Sequence, residues 1–245
     1  MSTRGRRSVV RGALLTAALG LLPTGAGATH FAWLGHTVCP WDPVSCATRV
    51  PASFRSLGEL PYGVFHIVDE AAPEWRGEQP TETLRTRDGQ VIARVGPRFR
   101  HELDAQGSAR LRDGRIVNTE EHAGGQSRYL VVRNAPFGIG APGYKLMPYR
   151  TIAVDGKRIR VGTVLYVPAL AGVKLSDGEI HDGFCFAHDT HDTDGGIGLF
   201  IGFDRDTDKT VPALAGKRRV RAYAVDAETA AALNGRFKAR FDFKD

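Results

Sequence analysis

Glycine and proline interrupt the chain at short intervals, and this limits its regular structure to short elements. The 245 residues include 29 glycines and 13 prolines, and stretches with helical periodicity are scarce. Many short strands with few helices favour a closed β-barrel or a β-sandwich, because closure removes exposed sheet edges. The predicted strands lie at 64–68, 83–86, 91–95, 129–132, 151–154, 163–167, 184–187, 199–203 and 220–225.

Two tight turns and one helix can be placed from local patterns. Asp-Gly dipeptides at 88–89 and 113–114 separate short apolar runs and predict β-hairpins. A helix is predicted at 227–233, with Asp226 as its N-cap and Asn-Gly at 234–235 as its end. Beyond it, aromatic or small residues alternate with charged ones over 237–244, which predicts a half-buried strand.

Residues 1–28 have the pattern of an export signal. A basic start is followed by an apolar run at 13–22 and by small residues before position 28. This run is shorter than the roughly 20 residues that a membrane-spanning helix needs, so no transmembrane anchor is expected after its removal. The Arg pair at 6–7 favours twin-arginine export, and an ordinary secretory signal is the alternative. The expected location is periplasmic or secreted.

The net charge argues against a nucleic-acid partner. The formal charge is +6, but four of the 33 basic residues fall within 1–28, which leaves 29 basic against 27 acidic residues. Binding to nucleic acid needs a sustained basic patch. This class of partner is therefore not expected.

The three cysteines fit an oxidising compartment. Cys39 and Cys46 bracket the short segment CPWDPVSC, and a local disulfide between them is expected, with Cys185 left as a buried thiol. A zinc site at this pair is the alternative, although the spacing matches none of the usual paired-cysteine signatures.

A cluster of acidic and imidazole side chains lies between two apolar runs, in FCFAHDTHDTDGGIGLFIG at 184–202. A strand that only filled a core would not carry so many polar residues, so this segment is expected to line a site. The cluster comprises His188, Asp189, His191, Asp192 and Asp194. A divalent metal ion held by these residues is one alternative. The spacing does not fit a calcium-binding loop.

Four further segments carry a resemblance to a known family. They are PFGIGAPGYKLMPYRTIAVDGKRIRVGTVLYVPAL, HDGFCFAHDT, GGIGLFIG and GKRRVRAYAV, all within 136–225. Together they resemble the three-Asp domain of bacterial cell-wall enzymes, and more specifically the barrel of the membrane-bound lytic transglycosylase A family. The resemblance implies a mainly β fold, namely a six-stranded double-psi β-barrel with an additional β-rich N-terminal region.

The resemblance also divides the chain. The expected organisation is a signal peptide at 1–28, an irregular arm with the cysteine pair at 29–61, a β-rich accessory region at 62–135 and the barrel at 136–245. In the transglycosylase branch of the family a second β domain lies beside the barrel, with the substrate groove between them. Residues 62–135 are expected to supply that domain or the first strand of the barrel.

The three family aspartates map incompletely onto this sequence. Asp155 matches the first and Asp189 the second, whereas Gly198 stands where the third is expected. A shifted register would instead align Asp192 with the second aspartate and bring Asp204 near the third. Both registers remain open from the sequence.

The resemblance implies cleavage of peptidoglycan glycan strands without a cofactor. One protonated carboxyl donates a proton to the leaving oxygen, and the 6-hydroxyl of the muramic acid then forms a 1,6-anhydro ring. An ordinary Asp titrates near 3.9, so this acid needs burial or nearby carboxylates to stay protonated. Asp189 or Asp194 is the expected acid/base, with Asp155 in support, or with Asp155 as a turn residue that accepts backbone hydrogen bonds. The expected substrate-binding residues are Asp192, His188, His191 and Arg150.

Two other functions stay open at this point. The first is a non-catalytic protein that binds wall glycans on the same barrel, which the altered third position favours. The second is a metal-dependent hydrolase that uses the His/Asp cluster. A serine hydrolase is disfavoured because no G-x-S-x-G motif is present.

Overall fold

The computed structural model describes residues 50–123, 126–141, 143–175, 178–191, 195–203, 214 and 216–241. All of these residues belong to one compact unit of the chain. The predicted signal peptide and the Cys39–Cys46 pair therefore lie outside the described residues. No helix of the described part combines the length and the apolar character that crossing a membrane would require.

The described residues form twelve strands and two α-helices. The strands are β1 Arg55–Phe65, β2 Val68–Asp69, β3 Glu82–Arg85, β4 Val91–Val95, β5 Ser108–Arg110, β6 Ile116–Ala123, β7 Gln126–Val132, β8 Thr151–Val154, β9 Val164–Tyr166, β10 Phe184–Thr190, β11 Ile197–Phe200 and β12 Arg219–Ala224. The helices are α1 Pro97–Gln106 and α2 Ala227–Phe241, and short 3₁₀ turns occur at Pro73–Trp75 and Pro168–Leu170.

Six of these strands close into a barrel, in the order β1-β11-β8-β10-β9-β12. The pairs β1–β11 and β8–β10 are parallel, and the other four pairs are antiparallel. The mainly β fold class with a six-stranded barrel and an additional β-rich region is thus confirmed. The barrel takes its first strand from 55–65, ahead of the expected boundary at 136, because this strand pairs with β11 and β12 from the far end of the chain.

Successive side chains of β10 point to opposite faces of the sheet, and both faces are covered by other residues. Cys185 and Ala187 belong to the cluster that fills the barrel, whereas Phe184 and Phe186 belong to a second cluster outside it. The expected buried thiol is confirmed, since Cys185 is fully buried and burial raises its pKa to about 12. Strands covered on both faces read as continuous apolar runs.

The region between β1 and β8 forms a separate layer with its own core. Its four-stranded sheet has the order β2-β5-β6-β7, and β3 and β4 form the hairpin predicted at 88–89. The turn at 113–114 joins β5 to β6, as predicted. Helix α1 was not expected from the sequence; it begins at Pro97, ends before Gly107 at φ 83°, and buries Phe99 and Leu103.

The C-terminal helix is longer than expected. Asp226 caps it as predicted, because its carboxylate accepts the backbone N–H of Thr229 at 2.9 Å. The strand predicted from 237 onward is wrong: the helix passes Gly235 and continues to Phe241. Leu233 and Phe237 lie four residues apart, so on a helix they share one face. Both are buried in the cluster outside the barrel, and the Phe237 ring lies 4.9 Å from that of Phe186.

Candidate functional site

A cavity of about 780 Å³ lies between the barrel and the accessory layer. Its size is within the range of about 300–1,000 Å³ that is usual for ligand sites. The barrel contributes the end of β1, Ala153 of β8, Gly198 of β11 and the segment from Asp189 to His191. The accessory layer contributes the end of α1, Ser108 of β5 and the polar stretch 118–120 of β6.

Of the two residues expected as the acid, Asp189 and Asp194, Asp189 is among the residues that line this cavity. It lies on β10 at an irregularity in the pairing with β8, between the pairs Ala187↔Ile152 and Asp189↔Ala153. A bulge of this kind re-aims the side chains that follow it and is frequent beside active sites. The apolar run before Asp189 forms the strand, and the irregularity sets the direction of the carboxyl group.

Burial raises the pKa of Asp189 to about 6. The backbone N–H groups of Thr190 and Ala141 oppose this effect, since they donate to Oδ1 at 2.8 and 3.2 Å and so favour the carboxylate. With a pKa near 6, about one tenth of the molecules carry the proton at pH 7. A carboxyl group in this state can both donate and accept a proton near neutrality.

The loop 138–141 closes over Asp189 and depends on glycine to do so. A Cβ atom on Gly140 would collide with the carbonyl oxygen of His188 and would lie 2.9 Å from Cγ of Asp189. Gly138 has φ 89°, a backbone conformation that favours glycine. No role is expected for these positions from the motifs above, although the Gly-x-Gly pattern in PFGIGAPG is a signal for a close backbone approach.

His188 is placed as a packing residue and lies outside the cavity lining. Its ring stacks on that of Tyr144, with centroids 4.1 Å apart and an angle of 5° between the planes, and it also contacts Phe186. Burial lowers the pKa of His188 to about 4, so the imidazole is neutral at pH 7. Its expected contact with substrate does not follow from this position.

His191 lines the cavity and lies beside the altered third position. Its Nε2 atom is 3.3 Å from the point where a Cβ atom on Gly198 would stand. The space next to Gly198, where the family resemblance expects an aspartate, is therefore adjacent to an imidazole in this protein. His191 has the position to contact a ligand in the cavity.

Asp155 and Arg150 do not reach the cavity lining. Asp155 closes the turn after β8: its carboxylate accepts the N–H of Lys157 at 2.9 Å, and its carbonyl oxygen accepts two further backbone N–H groups. Arg150 is buried and pairs with Asp182, and it also donates to the carbonyl oxygen of Phe184 at 3.0 Å. The turn alternative for Asp155 fits this geometry.

Two members of the acidic cluster, Asp192 and Asp194, lie outside the described residues. Their expected roles stay predictions. Among the residues that the structure describes, no group of three or more His, Cys, Asp or Glu side chains is arranged to hold a metal ion.

The chain is similar to solved structures of lytic transglycosylases, at low sequence identity. MltA of E. coli with bound chitohexaose has a TM-score of 0.45 and 13% identity, over 68% of this chain and 71% of that one. The membrane-bound lytic murein transglycosylase of Agrobacterium tumefaciens has a TM-score of 0.41 and 15% identity, over 71% and 75%. LtgG of Burkholderia pseudomallei has a TM-score of 0.35 and 16% identity, over 67% and 70%.

No family model matches the chain, and no curated protein matches it. The solved structures belong to the same family that the sequence motifs resemble. Likeness at this level carries no information about activity, so function has to be argued from the cavity and its residues.

Proposed function

We propose that this protein is a peptidoglycan lytic transglycosylase in which Asp189 serves as both general acid and general base. The observation that carries the proposal is a partly buried carboxyl group with a raised pKa at the wall of a cavity large enough for several sugar rings. Strong perturbation of a pKa inside a cleft is a signature of catalytic acids. The motifs around Asp155 and Asp189 support the substrate class by resemblance.

The reaction would need one carboxyl group used twice. The protonated Asp189 donates its proton to the glycosidic oxygen as the bond to the anomeric carbon breaks and positive charge develops there. The carboxylate then takes the proton from the 6-hydroxyl of the same muramic acid, whose oxygen bonds to the anomeric carbon. Asp189 ends in its starting state, and the product carries a 1,6-anhydro ring.

The cavity supplies groups suited to a neutral sugar polymer. On its accessory side the side chains of Gln106 and Glu120 are accessible and can exchange hydrogen bonds with hydroxyl and acetamido groups. His191 lies on the opposite wall, next to Asp189. We infer that glycan strands bind along this interface, with the scissile bond beside Asp189.

The altered third position favours one other function. Gly198 replaces an expected aspartate, so the barrel could bind wall glycans without cleaving them. The export of the protein through the segment 1–28, and hence a periplasmic or secreted location, also stays part of the proposal.

The test is digestion of purified sacculi with protein that lacks residues 1–28, followed by mass spectrometry. Soluble anhydro-muropeptides, lighter by one water than hydrolysis products, are the expected outcome. Asp189→Asn should reduce their release by about 10²–10⁴-fold, the usual contribution of general acid–base catalysis. Asp155→Asn is the matched control and should retain activity.

Other outcomes decide against the proposal. Retention on sacculi without any soluble product would establish the binding protein instead. Products with a reducing end, lost on addition of a chelator, would establish a metal-dependent hydrolase.

A further inference from the structure

Asn118 of β6 joins the accessory layer to the loop that covers Asp189. Its side chain is buried, with 6% exposure. Its Oδ1 atom accepts the backbone N–H of Ile139 at 3.0 Å, and its Nδ2 atom donates to the carbonyl oxygen of Ile139 at 2.7 Å. Nδ2 also donates to the carbonyl oxygen of Gly107 at 3.3 Å. The amide of Asn118 thus pairs with both backbone groups of one residue, as a neighbouring strand would.

This arrangement requires the particular chemistry of asparagine. The side chain must offer a donor and an acceptor at the same short reach, which aspartate and leucine, though similar in size, do not. The loop must also come close, and Gly138 permits this, since a Cβ atom there would lie 2.6 Å from Oδ1 of Asn118. A buried amide without its partners is costly, so the pairing holds the loop in place.

The two residues that follow this anchor both contact the acid. Ile139 is followed by Gly140, which lies against His188 and Asp189, and then by Ala141, whose N–H donates to Oδ1 of Asp189 at 3.2 Å. The loop is internally braced, because Gly140 donates its N–H to Tyr144 at 2.8 Å and Ile139 bridges to Lys145. A displacement of Ile139 therefore also moves Gly140 and Ala141, which lie against Asp189.

We propose that Asn118 is a positioning residue, which holds the segment 139–141 against Asp189 and so keeps the carboxyl group shielded from water. The inference rests on the proposed function only in that Asp189 is the acid of the reaction; the anchoring itself is independent of it. Asn118 acts through the loop and is not a catalytic residue.

The charged surroundings of Asp189 require that its titration be followed directly. Asp104 and Glu120 from the accessory layer and His191 from its own strand end line the same cavity. Asp104 accepts a hydrogen bond from Tyr129 at 2.5 Å and lies 3.7 Å from Arg100. A pH profile of activity would contain contributions from all of these groups. The ¹³C chemical shift of the Asp189 carboxyl carbon reports the protonation of that residue alone.

The experiment is a ¹³C NMR titration of Asp189 in Asn118→Leu and Asn118→Ala, with the resonance assigned through Asp189→Asn. Both substitutions remove the two hydrogen bonds to Ile139, and neither adds a charge near Asp189. Release of the loop admits water and also removes the N–H of Ala141 from Asp189. Because burial is the larger of these two opposing effects, the pKa of Asp189 should fall by about one pH unit, toward the ordinary value near 3.9. The matched control is Val117→Ala, which weakens the same strand from the face that packs in the accessory core.

The outcomes separate this inference from the proposed function. A pKa of Asp189 that stays the same or rises in both Asn118 variants, while they remain folded, would overturn the positioning role even if the parent makes anhydro products. The same fall in Val117→Ala would also overturn it, because loss of strand stability would then suffice. If the parent releases no product but the pKa falls only in the Asn118 variants, the positioning role stands and the transglycosylase assignment fails. With an active parent, kcat should fall at least tenfold in Asn118→Leu, with a smaller change in KM.

Discussion

Asp182 and Asp189 lie at opposite ends of β10, and both are partly buried, yet their pKa values shift in opposite directions. Asp182 precedes the strand and meets Arg150 and Arg236, the latter at 3.0 Å. Burial opposes its ionisation, but the charge of Arg150 and the hydrogen bonds it accepts hold the pKa of Asp182 below its usual range. Asp189 is the second-last residue of the strand, and burial raises its pKa to about 6 against the opposing effect of two backbone N–H groups.

The difference lies in the partners and not in the depth of burial. A buried carboxylate that meets guanidinium groups is a structural ion pair, whose charge is fixed over the physiological range. A buried carboxyl group that meets only backbone N–H groups keeps its proton to higher pH and can exchange it. One strand of the barrel therefore carries a structural carboxylate at its start and a reactive one at its end.

The largest expected effect comes from breaking the ion pair at Asp182. Arg150→Met removes a buried charge and leaves Asp182 with Arg236 alone. The free energy of unfolding, measured in urea, should fall by about 3–5 kcal/mol, as it does when one partner of a buried pair is lost. Arg221→Met is the matched control: its pair with Glu59 at 3.2 Å is exposed and should contribute less than about 1 kcal/mol. Equal losses in the two variants would contradict the structural role of Asp182.

The next effect concerns the dependence of stability on pH. The folded-state pKa of Asp189 is above its unfolded value, so its protonated form stabilises the fold below about pH 4, and this contribution is lost as the pH rises through about 6. The side chain in Asp189→Asn cannot ionise, so this variant does not lose stability as the pH rises. Its free energy of unfolding should exceed that of the parent by about 2–3 kcal/mol at pH 7, and the excess should vanish near pH 4. An excess independent of pH would show that burial does not perturb Asp189.

The smallest effect comes from a change that is confined to the segment 139–141, which lies over Asp189. Gly140→Ala places a methyl group against His188 and Asp189, and it should cost about 1–3 kcal/mol of folding free energy through overpacking. The pKa of Asp189 should fall while that of Asp182 keeps its parental value. Gly235→Ala is the control, because its Cβ would meet open space on α2, and it should stabilise the protein by up to about 1 kcal/mol. A destabilisation equal in both would contradict the close approach at Gly140.

The sequence was sufficient to predict features that depend on local patterns. Short apolar runs between turns predicted the barrel strands other than β1, for which a strand at 64–68 was expected, and Asp-Gly dipeptides predicted two hairpins that the structure contains. The apolar residues before Asp189 also predicted a partly buried carboxyl group near a strand end. These features follow from residues that are adjacent in the chain.

Features that depend on distant contacts were not predictable in this way. Asn118 and Ile139 are 21 residues apart, and Ala141 and Asp189 are 48 apart, so neither contact has a local signal. Arg150 was expected to bind substrate because nothing near it in the sequence reveals Asp182 as its partner. The alternation after position 236 predicted a strand, but burial of Leu233 and Phe237 on one face favoured the helix.

The most direct test of the account is the titration of both aspartates in one sample. Carboxyl ¹³C NMR of the parent protein, with Asp182→Asn and Asp189→Asn for assignment, gives the two pKa values independently of activity. The account predicts that Asp189 titrates near 6 and that Asp182 titrates below the ordinary value near 3.9. Two ordinary values, or the reverse order, would contradict it.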